Sequence, residues 1–207
     1  MDQPGVFQDS ALQSVRLPST LRRIERNAFF KCAGLRGVVL PEGLETIGSN
    51  CFSFSGLERL VLPPGVREVG PGACYECERL RSVALNEGLE RLGPAETVMG
   101  IESAGLCFAE SAVRSVRLPS TLRRLEVGTF KGCRCLRRVE VPEGVECLGE
   151  RCFAGSRVEE VSLPGTLRAV GEGAFGDCGR LRVVWVGAGC ALDVRGCVGD
   201  SVEVRRK

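Results

Sequence analysis

The sequence predicts a single, mainly β repeat solenoid of about eight coils. Three observations predict it: evenly spaced prolines, apolar columns in register with them, and phenylalanines at a fixed offset. Pro18, Pro41, Pro63, Asn86, Pro119, Pro142, Pro164 and Gly187 each close a short apolar segment, at intervals of 23, 22, 23, 33, 23, 22 and 23 residues. Six, three and one residues before each anchor stand apolar columns, as in Leu35, Val38, Leu40 or Leu136, Val139, Val141. The last two alternate with period two, which predicts a half-buried strand ahead of every anchor. After the anchor, the third and sixth positions are again apolar, as in Leu21 and Ile24 or Val66 and Val69. The eleventh collects Phe29, Phe52, Phe130, Phe153 and Phe175; Phe108 holds the same place within the one long interval, after the insertion, and Phe7 belongs to a partial leading coil. A coil with these inward side chains is unable to bury them alone, so neighbouring coils must stack into one core. At about 4.8 Å per paired strand, such a stack is roughly 40 Å long.

Two further levels of order lie on this repeat. Three residues after the phenylalanine position the column reads Ser10, Cys32, Ser55, Cys77, Ser111, Cys133, Ser156, Cys178, in strict alternation. The unit is therefore a pair of coils. The chain is also duplicated: Ser14 to Arg23, SVRLPSTLRR, recurs letter for letter as Ser115 to Arg124. One domain over residues 1–207 is expected, with halves at about 7–107 and 108–204 and an insertion at about 94–106. A loop projecting from a rigid scaffold is a usual place for recognition, and equally a place where extra length is tolerated.

The segments LRGVVLPEGLETIGSNCF, LRRVEVPEGVECLGERCF and VEEVSLPGTLRAVGEGAFGDC resemble the BspA-type leucine-rich repeats, and the pattern runs from Phe7 to Val204. The resemblance implies a leucine-rich-repeat horseshoe, with a parallel β-sheet on one face and irregular or short helical segments on the other. It also implies a binding surface, often an adhesin on bacterial or protist cells and in other cases an intracellular repeat protein, with no catalytic residues to carry over.

Composition narrows the chemistry. The chain contains no histidine, which removes Ser-His-Asp and Cys-His nucleophile arrangements, paired-His zinc sites and the usual neutral-pH general base. No enzymatic activity and no cofactor or metal are expected. Lys plus Arg number 28 against 26 Asp plus Glu, a net +2 too mild to mark a nucleic-acid or membrane-surface protein. Twelve cysteines need an explanation, and the register supplies one. Cys74 and Cys77 spell CxxC, yet both fall in core columns, so buried reduced thiols are expected rather than a redox pair or zinc site. Cys135 and Cys147 fall at solvent-facing positions, and Cys190 and Cys197 lie in a degenerate last coil where they have the opportunity to pair. Free buried thiols and the lack of a signal-like or membrane-spanning apolar run favour a cytoplasmic location and no membrane insertion. A cell-surface location is expected instead if the chain is a fragment.

The exposed strand positions, second, fourth and fifth before each anchor, hold nine arginines against four glutamates. This face is more basic than the chain as a whole. Its candidate partner-binding residues are Arg16, Val39, Arg59, Val61, Arg117, Arg138, Glu140, Glu160 and Trp185, with Trp185 as anchor and Arg117 and Arg138 beside Glu140 as an orienting charged patch. The expected function is non-enzymatic protein–protein interaction with an acidic or mixed-charge partner. The alternative is an adhesin-like surface binding a glycan or nucleic acid, and the scarcity of surface aromatics argues against nucleic acid. Alternating Arg22, Glu45, Arg67, Glu90, Arg123, Glu146 and Arg168 predict an ion-pair ladder along one edge. The first coil opens the stack with only Phe7 before it, whereas charged residues follow the last strand, so end-to-end self-association through the N-terminal end is a further expectation.

Overall fold

The computed structural model describes residues 5–98 and 101–207, and Met99 and Gly100 of the insertion lie outside the described residues. The chain winds as a β-solenoid of about eight turns, and each turn presents three parallel rows. The first row is the predicted strand before the anchor: Arg59–Val61, Ser82–Ala84 and Ser115–Arg117 form one sheet, and Arg138–Glu140, Glu160–Leu163, Val183–Val186 and Glu203–Arg206 another. The second row follows the anchor, where two-residue strands pair in parallel from Arg23–Ile24 to Arg91–Leu92 and from Arg124–Leu125 to Ala169–Val170. Sequence reading foresaw irregular or short helical segments there. The structure has a second ladder instead, because a Leu or Ile at the sixth position is drawn inward beside its equivalent one coil away, as Ile24 is beside Ile47. The one helix among the described residues is a 3-10 turn, Val194–Cys197, capped by the Asp193 side chain. No described helix is long and apolar enough to cross a membrane.

The third row is the phenylalanine corner, and its backbone ladder is unbroken. Phe7 N–H donates to Ala28 O, Phe29 to Cys51, Phe52 to Ala73, Cys74 to Cys107, Phe108 to Thr129, Phe130 to Cys152 and Phe153 to Ala174, at 2.8–3.0 Å. Inside it the rings stack nearly parallel, 5.3–5.6 Å apart, in two columns separated by Cys74. Cys74 fills the missing phenylalanine's place and is fully buried, as its register predicts.

The duplication leaves a staggered seam. Ser115–Arg117 pairs back with Ser82–Ala84 but not forward with Arg138–Glu140, whereas Arg124–Leu125 pairs forward with Cys147–Leu148 but not back with Arg91–Leu92. Coil five thus belongs to the N-terminal half on one face and to the C-terminal half on the other. The insertion leaves the stack at Gly93 and returns at Gly105, whose N–H donates to Gly93 O at 2.8 Å. That pinch closes the excursion and lets the phenylalanine ladder pass it undisturbed. Gly105 has a φ of 69°, and a Cβ there would lie 1.8 Å from Val127 O, so only glycine fits. Between the two glycines, Glu96–Val98 and Ile101–Ser103 form an antiparallel hairpin, and Ser49 Oγ donates to the Glu96 carboxylate, tying it to coil two.

The Ser/Cys alternation has a local cause. Cys32 Sγ donates to Phe7 O at 3.0 Å and lies 3.4 Å from Ser10 Oγ. Cys77, Cys133 and Cys178 repeat this with Phe52, Phe108 and Phe153 and with Ser55, Ser111 and Ser156. Between pairs the link is main-chain, as in Gly56 N–H to Cys32 O. A thiol is small and apolar enough for the core yet able to donate weakly, so it satisfies a carbonyl that the ladder leaves half-used.

Candidate protein-binding surface

The first row builds the candidate site. Alternation sends Leu60, Val83, Val139, Val161 and Val184 inward, all 5% exposed or less, and turns the flanking residues out. Parallel register then sets those outward residues side by side. Arg16 stands beside Val39, Val61 beside Ala84, and Ala84 beside Arg117; past the seam, Glu140 stands beside Ser162, Ser162 beside Trp185, and Trp185 beside Arg205. Val39 and Val61 are 82% and 52% exposed, and among the described residues Val6 and Val127 are the other exposed large apolar side chains. An apolar strip, Val39, Val61 and Ala84, is therefore bracketed by Arg16 and Arg117, with Arg59 on the neighbouring file.

Along both halves some arginines of this face are paired, as Arg36 is with Glu58 at 3.6 Å, and others, such as Arg182, are exposed without a carboxylate partner among the described residues. Arg16, Arg59, Arg81 and Arg114 are exposed and have no carboxylate partner among the described residues. In the C-terminal half, Arg137 pairs with Glu159 at 2.6 Å and Arg138 with Glu160 at 3.3 Å. The predicted patch of Arg117 and Arg138 around Glu140 does not assemble. Arg117 reaches back to Glu87, 3.8 Å away, and Arg138 turns to Glu160. The seam separates them, and a cleft of about 810 Å³ opens there, lined by Glu87, Arg117, Ser120, Glu140 and Glu143.

Trp185 is half-buried rather than a free anchor. Its indole N–H donates to Glu160 at 2.7 Å, and the Arg205 guanidinium lies 5.2 Å from the ring centroid. Arg205 comes from the final strand, Glu203–Arg206, which extends the sheet over Val183–Val186. Lys207 Nζ donates to Ser162 Oγ at 2.8 Å, so the chain's own basic tail covers this end of the face.

The edge ladder forms as predicted at Arg22–Glu45, Arg67–Glu90 and Arg168–Glu146, at 3.9, 2.9 and 3.7 Å. All twelve cysteines are free, including Cys190 and Cys197. Burial pushes the Cys107 and Cys133 thiols up to about 12. Cys74 is raised by its hydrogen bond with Cys77 and by burial, and the same bond lowers Cys77. Cys135, Cys147, Cys178 and Cys197 are half-exposed, the first two as register predicts.

Two features escaped sequence reading. The seam cleft left no trace in the spacing, since it falls in the ordinary 23-residue interval from Pro119 to Pro142 and not in the 33-residue interval before Pro119. Phe30, Phe54 and Tyr75 form an aromatic ladder outside the core, signalled only by two phenylalanines that miss the phenylalanine column.

The model of the BspA type leucine-rich repeat region matches six copies, over residues 3–95 and 104–190. Among solved structures, a leucine-rich repeat protein from Bacteroides ovatus superposes with a TM-score of 0.69 at 23% identity, over 97% of this chain and 56% of that one. The present chain thus spans little more than half its length. A leucine-rich repeat protein from Eubacterium ventriosum gives a TM-score of 0.49 at 16% identity, over 98% of this chain and 62% of that one. The T. pallidum leucine-rich repeat protein gives 0.41 at 20% identity, over 93% and 69%. No curated protein matches the sequence.

Proposed function

The chain belongs to the BspA-type leucine-rich repeat family, and from that premise we propose that it is a non-enzymatic module that binds a protein partner through the first-row strand face of its N-terminal half. One observation carries the reading. Val39, at an isolated bridge to Arg16, and Val61, on the strand Arg59–Val61, point into solvent between Arg16 and Arg117, where the fold has no use for apolar side chains. Exposed apolar residues scattered singly are ordinary, but a file of them flanked by arginines has the make-up of an interface centre with a charged rim. The partner that fits is an apolar segment flanked by carboxylates. The C-terminal candidates Arg138, Glu140, Glu160 and Trp185 take a lesser part, since three of them already satisfy one another.

The unpaired arginines also favour a second reading, an anionic polymer such as a sulfated glycan. It differs in salt response, since binding that rests on charge alone falls steeply with ionic strength. The test is site-specific photo-crosslinking from positions 39 and 61, with positions 67 and 90 on the ladder edge as controls. A protein adduct at 39 and 61 that Val39→Asp abolishes is the expected outcome. Adducts from the ladder edge alone would move the functional surface to the other side of the solenoid.

A further inference from the structure

Two of the nine phenylalanines lie off the core column, and they do not stand singly. Phe30, Phe54 and Tyr75, from three consecutive coils, make a half-exposed ladder with ring centroids 5.5 and 5.6 Å apart and interplanar angles of 79° and 77°. The stack of Phe7, Phe29 and Phe52 already fills the interior here, so the core does not require a second one. Phe54 has a left-handed φ of 58°, the conformation that this repeat position takes in every coil, from Asp9 and Lys31 to Asp177.

Charge is arranged along this ladder. Two adjoining hollows, about 370 and 540 Å³, share Glu76 and Glu78; the first is also lined by Phe54 and Arg79 and the second by Tyr75, Glu110 and Arg134. The neighbouring Glu76 carboxylate pushes the pKa of the Tyr75 phenol up. At the opposite end, Lys31 Nζ lies 5.4 Å from the Phe30 centroid, so a ring face here already receives an ammonium group.

We propose that this ladder and its acidic end are a second docking surface, which takes an arginine- or lysine-rich segment of a partner protein. The three carboxylates outnumber the one arginine in the larger hollow and select a cationic occupant. The edge-to-face rings present faces on which a guanidinium or ammonium gains cation–π attraction. The surface lies along the phenylalanine corner, away from the apolar strip of the strand face, so its occupancy and that of the strip are separable.

The test is calorimetric titration of the full chain with a short peptide of alternating arginine and glycine, and with the same peptide carrying glutamine for arginine. The arginine peptide is expected to bind and the glutamine peptide to bind at least about tenfold more weakly. Glu78→Lys, at an exposed position, and Tyr75→Ser should each weaken binding about three- to tenfold, whereas Val39→Ser on the strand face should leave it unchanged. Equal binding of the two peptides, no binding at millimolar concentration, or indifference to both Glu78→Lys and Tyr75→Ser would overturn the proposal. So would a loss with Val39→Ser as large as with Tyr75→Ser.

Discussion

Ser14–Arg23 and Ser115–Arg124 are the same ten residues in two environments. In the interior copy Leu118 and Leu122 are 5% and 1% exposed, whereas Leu17 and Leu21 of the first copy are only partly buried. Arg16 makes a single bridge, to Val39, while Ser115–Arg117 is a strand paired with Ser82–Ala84. Even the arginines diverge: Arg117 meets Glu87, and Arg16 meets no carboxylate among the described residues. Identical letters thus fold to different depths because one copy has a full coil beneath it and the other has only the Phe7 segment. Position in the stack, more than local sequence, decides how much each residue stabilises, as nearest-neighbour repeat architectures require.

The largest test of that contrast is a matched pair of truncations. Leu122→Ala should cost about 2–5 kcal/mol, as fully buried leucines do, and Leu21→Ala half of that or less. Urea unfolding of both variants checks it; equal losses would mean that the first coil is as well supported as the fifth.

A smaller effect comes from the interior thiols. Cys107 and Cys133 stay protonated in the folded chain up to about 12, whereas their unfolded counterparts ionise near 9. Raising the pH through that window therefore stabilises the unfolded chain, and stability should fall between pH 9 and 12 by up to about 1.4 kcal/mol per pH unit for each thiol. Below pH 9 these groups contribute no slope. Cys133→Ala should flatten the decline, and an unchanged slope would show that other groups cause it.

The ladder ion pairs should matter least. Arg67 and Glu90 are both more than half exposed at 2.9 Å. Exchanging them, Arg67→Glu with Glu90→Arg, should alter stability by no more than about 0.5 kcal/mol, read by the same unfolding curves.

The reach of the sequence follows from these environments. Register was legible because Phe29, Leu35 or Leu122 must face inward in every coil, and a periodic requirement leaves a periodic trace. The strand face was legible too, since Val39 and Val61 are apolar at positions where alternation turns side chains outward. The pairing of Trp185 with Glu160 and Arg205 was not, because the final strand that brings Arg205 there follows a shortened coil whose path the repeat does not specify. Nor was the seam, since the strand face breaks between coils five and six, where the interval from Pro119 to Pro142 is an ordinary 23 residues. Phe54 and Tyr75 obey no column, so their meeting appears only once the coils are wound.

Hydrogen exchange of the native protein, read by mass spectrometry on the two copies of SVRLPSTLRR, tests the dominance of stacking most directly. Their shared sequence gives the internal amides the same intrinsic exchange chemistry, so any difference reports on structure alone. Ser115–Leu118 should exchange at least about tenfold more slowly than Ser14–Leu17, because its strand is hydrogen-bonded to a preceding coil and Leu118 is buried. Equal protection of the two copies would contradict the account.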